Sequence, residues 1–152
     1  MYFKEFLKQY EGKKIKLFVD MDGVIADYNF GKPCDYDKKR PLYNNINQLK
    51  EISNNDNIEL YIFSVTRMSE GYEQKQYWLD KYAPFFKKEN RIIISREAND
   101  MVKTAVLKAE YLRDFERDGS ILMLIDDDPR NLKEVHKLSE DIVLLKDTVL
   151  ED

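Results

Sequence analysis

Five short apolar runs alternate with stretches of helical periodicity along the 152 residues of this chain. The runs are predicted strands and lie at residues 15–19, 60–63, 91–94, 121–125 and 142–145. Continuous apolar runs of this length are typical of strands that are buried on both faces of a parallel sheet. The alternation therefore predicts an α/β fold in which a parallel sheet is flanked by helices on both sides, in three layers.

The intervening stretches predict the helices that cover this sheet. Apolar spacing, capping residues and the positions of proline and glycine give helices at about residues 3–10, 47–53, 69–82, 101–117 and 129–138. In contrast, residues 29–42 carry two prolines, a glycine and many charges, which predicts a loop. No linker or internal repeat divides the chain, so we expect one domain over residues 1–152.

Composition limits the classes of function. The apolar content of 43% is sufficient for a packed core, which argues against global disorder. A net charge of −4 gives no sign of a surface that coats nucleic acid, although a local basic groove stays possible. The single cysteine, Cys34, excludes an internal disulfide, and no apolar run reaches membrane length. We therefore expect a cytoplasmic protein without a membrane partner.

Polar side chains follow four of the predicted strands. The first strand leads into Asp20-Met21-Asp22-Gly23, the second into Ser64, the third into a segment that reaches Lys103, and the fourth into Asp126, Asp127 and Asp128. In open parallel sheets, ligands bind beyond the carboxyl ends of the strands. The sequence thus predicts that carboxylates, a hydroxyl and a lysine converge at one edge of the sheet.

Such a group of side chains suits a hard cation and a phosphate. Magnesium prefers one or two carboxylates together with water and phosphate oxygens, which Asp20 and either Asp126 or Asp127 can supply. A lysine and a hydroxyl bind the remaining phosphate oxygens. One carboxylate can attack phosphorus while a second acts as general acid and base. Taken alone, Asp22-Gly23 is equally well read as a simple turn.

Four motifs in chain order resemble those of a known superfamily. FVDMDGVIADY resembles the first motif of the haloacid-dehalogenase-like (HAD) phosphatases, and LYIFSVT and LMLIDDDPRN are similar to their second and fourth motifs. VDMDGVIADY and QYWLDKYAPFF look most like the 5'(3')-deoxyribonucleotidases. The resemblance spans about residues 15–140 and implies a Rossmann-like HAD core and magnesium-dependent hydrolysis of a phosphomonoester, with a nucleotide as the expected substrate.

The resemblance also implies roles for individual residues. Asp20 is expected to be the nucleophile and a metal ligand, and Asp22 the general acid and base, with its main-chain oxygen as a further ligand. Ser64 is expected to hold the phosphoryl group, and Asp126 and Asp127 to hold magnesium, directly or through water. Asp128 is instead expected to stabilise the start of the next helix.

Two lysines compete for the phosphate-binding role of the third motif. Lys103 lies early in the predicted helix 101–117, and DMVKTAV resembles the matching stretch of polynucleotide 3'-phosphatase domains. Lys108 lies one turn further along and is expected to point less toward the strand ends. The sequence therefore favours Lys103.

Substrate selection is left open by the short interval between the first two motifs. Residues 28–43 predict a reduced cap loop, whereas the deoxyribonucleotidases carry a larger helical cap. A minimal cap can admit a larger substrate, such as a nucleic-acid 3'-phosphate end or a phosphoprotein, or a second subunit can cover the site. A non-catalytic binding module with the same fold is the alternative to an enzyme, although the presence of both Asp20 and Asp22 argues against it.

Overall fold

The computed structural model describes residues 2–28, 36–67, 69–96 and 102–151. Within these ranges the chain forms a five-stranded sheet in the order β3-β2-β1-β4-β5, and all neighbouring strands are parallel. The strands are β1 (Ile15–Val19), β2 (Ile58–Thr66), β3 (Arg91–Ser95), β4 (Ile121–Asp126) and β5 (Val143–Lys146). The predicted α/β fold with a parallel sheet is confirmed.

Helices cover both faces of the sheet. The α-helices of the described ranges are α1 (Tyr2–Leu7), α2 (Tyr43–Ile52), α3 (Ser69–Tyr82), α4 (Thr104–Asp114) and α5 (Pro129–Leu138), and short 3-10 turns occupy Lys8–Tyr10, Tyr36–Lys38, Lys88–Asn90 and Asp147–Leu150. No helix among the described residues is both long enough and apolar enough to cross a membrane.

Alternate side chains of β1 enter two separate apolar cores. Leu17 and Val19 belong to the core that also contains residues of α1, α2 and α3, such as Trp78. Phe18 lies on the opposite face, where it stacks on Tyr61 and belongs to the core that includes residues of α4 and α5. Because both faces are buried, β1 is apolar at every position except Lys16, whose ammonium pairs with Asp118 and lies over the ring of Phe115.

The strand order places the ends of β1 and β4 side by side. Val19 lies opposite Ile62 of β2 and Ile125 of β4, so Asp20 and Asp126 are the next residues on adjacent strands. The chain runs outward from β1 through β2 and β3 and then returns to β4 on the other side of β1. Ligand clefts of parallel sheets form where the strand order reverses in this way.

Element boundaries differ from the predictions at several points. The strand β2 starts two residues earlier and ends three residues later than predicted, and β5 is shifted by one residue. The helix α2 begins at Tyr43 rather than residue 47, and α4 is shorter at both ends than the predicted 101–117. On the helix α3, the side chain of Tyr77 is 65% exposed whereas that of its neighbour Trp78 is buried.

The structure describes only part of the predicted cap loop. Residues 29–35, which include Cys34, lie outside the described residues. Further along, Tyr36–Lys38 forms a 3-10 turn and Tyr36 is buried with its ring against Trp78. The Nε1 atom of Trp78 donates a hydrogen bond to the backbone oxygen of Lys39 at 3.0 Å, which fixes the end of this loop on α3. The boundaries of a reduced cap at 28–43 stay a prediction.

Candidate active site

Three carboxylates converge at the carboxyl ends of β1 and β4. Asp20 directly follows β1, Asp126 is the last residue of β4, and Asp127 is next to it. One oxygen from each of these carboxylates lies within 4.8 Å of the other two. Asp20 and Asp126 are buried and Asp127 is half-buried. Oxygen ligands grouped this closely are compatible with a bound divalent cation.

A buried lysine partly neutralises this cluster. Lys108 of α4 places its Nζ atom 3.0 Å from Asp20 Oδ1 and 2.7 Å from Asp126 Oδ2. Asn131 of α5 donates to Asp126 Oδ2 at 3.1 Å, which adds a second contact that orients this carboxylate. Although burial opposes it, the two carboxylates raise the pKa of Lys108, so the lysine stays charged.

The cluster retains excess negative charge despite Lys108. Burial raises the pKa of Asp20 to about 8, and the charges of Asp126 and Asp22 add to this effect against the opposing pull of Lys108. The surroundings of a carboxyl group with a raised pKa disfavour its ionised form. A further positive charge next to Asp20, such as that of a divalent cation, would favour its ionised form.

Asp22 lies in a different electrostatic environment. Its Oδ1 atom is 2.6 Å from the Nζ of Lys39, and its Oδ2 atom is 3.6 Å from the Nζ of Lys75. Although burial opposes it, the charges of Lys75 and Lys39 lower the pKa of Asp22 below its ordinary value. The pKa values of two carboxyl groups that lie two residues apart are thus shifted in opposite directions: the surroundings favour the neutral form of Asp20 and the ionised form of Asp22.

Ser64 and Lys75 form a second polar pair beside the carboxylates. Ser64 lies within β2 and is fully buried, and its Oγ atom accepts a hydrogen bond from Lys75 Nζ at 2.6 Å. The same ammonium donates to the backbone oxygen of Val65 at 3.0 Å. Lys75 was missed by the sequence analysis. The signal for it is its position on the face of α3 that also carries the buried residues Trp78 and Leu79.

The two candidate lysines of the third motif occupy different positions. Lys103 is the N-cap residue of α4, is exposed, and lines the cleft described below. The expectation that Lys108 points less toward the strand ends than Lys103 is wrong, because Lys108 contacts both Asp20 and Asp126. Since α4 begins at Thr104, Lys108 lies in its second turn, and helical side chains lean toward the helix N-terminus. A role for Lys103 in phosphate binding stays a prediction.

The loop after β1 allows Asp127 to approach the site closely. Gly23 has a backbone φ of +81°, and a Cβ atom at this position would lie 2.3 Å from Asp127 Oδ2. Tyr28 also packs there and forms a hydrogen bond with Asp127. In contrast, Asp128, which also lines the cleft described below, caps α5 by accepting from the backbone N–H of Arg130 at 2.9 Å, and this confirms its predicted structural role.

Gly23→Ala is expected to weaken binding of the cation more than it weakens the fold. The methyl group must displace Asp127, and the positive φ costs about 1 kcal/mol for a residue with a Cβ atom. Gly12→Ala is a matched control, because Gly12 has the same φ of +81° but open space around its Cβ position. Calorimetric titration with Mg²⁺ is expected to show an affinity about tenfold lower for Gly23→Ala. Equal affinities in the two variants would contradict the placement of Asp127 in the site.

A cleft of about 730 Å³ opens over the carboxylates between the start of α4 and the start of α5. Its base includes Asp20, Asp22, Asp127 and Lys108. The lining also includes four cationic side chains, Arg96, Lys103, Arg130 and Lys133, and the acidic Asp128 and Glu134, and Arg130 is paired with Asp128 at 2.8 Å. The cleft thus presents anionic ligands for a cation at its base and positive charge around them, which suits a phosphorylated ligand.

Comparison with known proteins finds solved structures with a similar fold. No protein-family model and no curated protein matches the chain. Among solved structures, it is similar to a chain of the Pnkp1/Rnl/Hen1 complex, with a TM-score of 0.69 and 16% identity over 90% of this chain. It is also similar to the HAD domain of the effector protein Lem4 from Legionella pneumophila, with a TM-score of 0.58 and 16% identity over 90% of this chain and 88% of that domain.

The two similarities differ in how much of the other chain they include. This protein spans 46% of the chain from the Pnkp1/Rnl/Hen1 complex but nearly the whole of the Lem4 domain. At these identities, the similarity concerns the arrangement of the backbone. The sheet order, the flanking helices and the Lem4 comparison together show that the chain has the HAD-like fold.

Proposed function

We propose that this chain is a magnesium-dependent phosphomonoester hydrolase that acts through an aspartyl-phosphate, with a nucleotide as its substrate. The observation that carries the proposal is the position of Asp20. Its carboxylate lies within the three-carboxylate cluster, contacts Lys108, and lines a cleft together with Asp22. A nucleophile, a cation site and a second acid are thereby within one cleft.

The proposed ligands of magnesium are the carboxylates of Asp20, Asp126 and Asp127, with the main-chain oxygen of Asp22 as a further ligand. When bound, the cation would neutralise negative charge on the transferring phosphoryl group. Ser64 and Lys108 are proposed to hold the other phosphoryl oxygens, and Lys75 orients Ser64 through its hydrogen bond. Lys103 is proposed to act at the cleft mouth, where its exposed ammonium would attract the substrate.

The proposed reaction has two steps. The first step starts from an ionised Asp20 and a protonated Asp22. An Asp20 carboxylate oxygen forms a bond to phosphorus, the bond between phosphorus and the ester oxygen breaks, and the leaving oxygen takes the proton of the Asp22 carboxyl. In the second, Asp22 takes a proton from water, the water oxygen attacks phosphorus, and the bond to Asp20 breaks. Inorganic phosphate leaves, and both aspartates return to their starting states.

A nucleic-acid 3'-phosphate end is a second candidate substrate. The four cations around the cleft favour it, because a chain of phosphodiesters can reach several of them at once. A similar solved structure, with a TM-score of 0.67, comes from the Pnkp1/Rnl/Hen1 RNA repair complex. A non-catalytic binding module with this fold would keep the cation site without turnover.

A panel of phosphomonoesters tests these alternatives. It contains deoxynucleoside 5'- and 3'-monophosphates, a 3'-phosphorylated oligonucleotide and an aryl phosphate, each with Mg²⁺ and with EDTA. We expect phosphate release that requires Mg²⁺. Faster release from the oligonucleotide than from mononucleotides would replace the nucleotidase proposal by end processing. No release from any member, combined with calorimetric Mg²⁺ binding, would support the binding module.

A further inference from the structure

We propose that Lys39 forms a subsite for an anionic group carried by the leaving group, so that the site selects phosphomonoesters whose leaving group has its own negative charge. This inference rests on the proposed hydrolase function. It goes further by naming a property of the substrate that the phosphoryl-transfer residues do not determine.

Both oxygens of Asp22 face ammonium groups in this structure. Lys39 lies 2.6 Å from Oδ1 and Lys75 lies 3.6 Å from Oδ2. The side chain of Lys39 is 13% exposed and that of Asp22 is 29% exposed, so their contact is largely shielded from water. An oxygen that holds an ammonium at 2.6 Å is not available to share a proton with the ester oxygen of a substrate. Lys75 at 3.6 Å is beyond hydrogen-bond distance of Oδ2, so Oδ1 is the oxygen that is occupied, and its ion pair with Lys39 must loosen before this oxygen can act.

The contacts of the two lysines indicate which pair loosens. Lys75 is 3% exposed and also donates to Ser64 Oγ at 2.6 Å and to the backbone oxygen of Val65 at 3.0 Å. Moving Lys75 would break these buried hydrogen bonds, which is costly. The ammonium of Lys39 lies against the ring face of Tyr36, 4.7 Å from its centroid, and at the closer oxygen of Asp22. Lys39 is therefore the lysine that a ligand can draw away.

The backbone of Lys39 is fixed while its side chain is long and flexible. Its carbonyl accepts a hydrogen bond from Trp78, and its N–H donates to the carbonyl of Tyr36 at 3.0 Å. The ammonium can thus change partners by side-chain rotation alone. A phosphate or phosphodiester on the leaving group would compete with Asp22 for this ammonium and free Oδ1 beside the ester oxygen. A neutral leaving group would leave the ion pair in place.

Matched substrates with neutral and charged leaving groups test this subsite. Thymidine 3'-phosphate releases a neutral nucleoside, whereas thymidine 3',5'-bisphosphate releases a charged product whichever phosphate is removed. A 3'-phosphorylated oligonucleotide carries its charge as phosphodiesters. We expect the wild-type kcat/KM with Mg²⁺ to be about tenfold higher for both charged substrates than for thymidine 3'-phosphate, a ratio that corresponds to 1.4 kcal/mol.

Lys39→Met is expected to change the hydrolysis of substrates with neutral and with charged leaving groups in opposite directions. Removal of the ion pair frees Asp22, so kcat for thymidine 3'-phosphate is expected to rise about threefold, while kcat/KM for the bisphosphate falls about tenfold. Lys39→Arg is expected to restore the preference. Lys38→Met removes the same charge from the neighbouring exposed residue and is expected to leave the ratio unchanged. A purely structural role for Lys39 would lower both activities together.

Different results would contradict different parts of the proposal, either the subsite alone or the hydrolase function as well. Equal kcat/KM values for neutral and charged substrates in the wild type would overturn the subsite but not the hydrolase function. A preference for the oligonucleotide that is absent for the bisphosphate would assign selection to the cations at the cleft mouth and overturn the role of Lys39. Release of phosphate from none of the substrates by the wild-type protein would overturn the hydrolase function and the subsite with it.

Discussion

Asp20→Asn is expected to lower magnesium-dependent phosphate release by about 10⁴-fold or more, because it removes the nucleophile of the reaction. The amide is nearly the same size as the carboxylate, and its oxygen can still accept from Lys108. The fold is therefore expected to survive, and circular dichroism and thermal unfolding without Mg²⁺ are expected to resemble those of the wild type. Phosphate release on the substrate panel measures the effect.

Asp128→Asn provides the matched control for this variant. It makes the same chemical change two residues after β4, where the side chain of Asp128 caps α5. Asparagine is as good an N-cap residue as aspartate, so activity and stability are expected to stay close to wild type. Retention of more than a tenth of the wild-type activity by Asp20→Asn would contradict its assignment as the nucleophile. Loss of activity in both variants would indicate that such substitutions disturb the structure at the carboxyl ends of the strands, and not that Asp20 has a specific role.

Lys108→Met is expected to reduce both activity and stability. Its ammonium contacts Asp20 and Asp126, which are buried. Removal of one partner of a buried ion pair costs about 3–5 kcal/mol, because the remaining charges have no partner. Loss of a charged donor from a phosphoryl site is expected to lower kcat about 10²- to 10³-fold. Urea unfolding and steady-state kinetics measure the two effects separately.

Lys103→Met tests the alternative lysine directly. Lys103 is exposed at the start of α4, so its replacement is expected to change stability by less than about 0.5 kcal/mol and kcat by less than about threefold. For Lys108→Met, in contrast, saturating Mg²⁺ is expected to restore part of the lost stability, because the cation would place a positive charge beside Asp20 and Asp126, the carboxylates that Lys108 contacts. A larger loss of kcat in Lys103→Met than in Lys108→Met would return the phosphate-binding role to Lys103.

The fold could be predicted from sequence because its three central strands, β1, β2 and β4, are largely buried on both faces. Each of β1 to β5 is preceded and followed by polar or helical segments, so its apolar run is distinct. The errors concern the ends of elements. The strand β2 continues through Ser64 to Thr66 because these polar residues are buried at the site end of the sheet, where their side chains have polar partners. Composition gives no indication of such partners.

The carboxylates of the site could be predicted because each is fixed by its distance from a strand end. A helical residue is harder to place, since an error of three residues at the start of α4 changes which lysine reaches the strands. The predicted start at residue 101 favoured Lys103, whereas the observed start at Thr104 brings Lys108 to Asp20 and Asp126. Lys75 and Lys39 were missed because lysine is rarely buried unless it is paired, and the pairing with Asp22 depends on tertiary structure.

The hydrogen bond between Trp78 and the backbone of Lys39 gives the protein a natural optical probe. Trp78 is the single tryptophan of the chain, it is buried against Tyr36, and its indole N–H is bonded to the loop that carries Lys39. Indole emission depends on the polarity and hydrogen bonding of its surroundings. A change in this hydrogen bond or in the polarity around the indole when a ligand binds would therefore change the intrinsic fluorescence of the unmodified protein, and stopped-flow mixing could follow it without an attached dye.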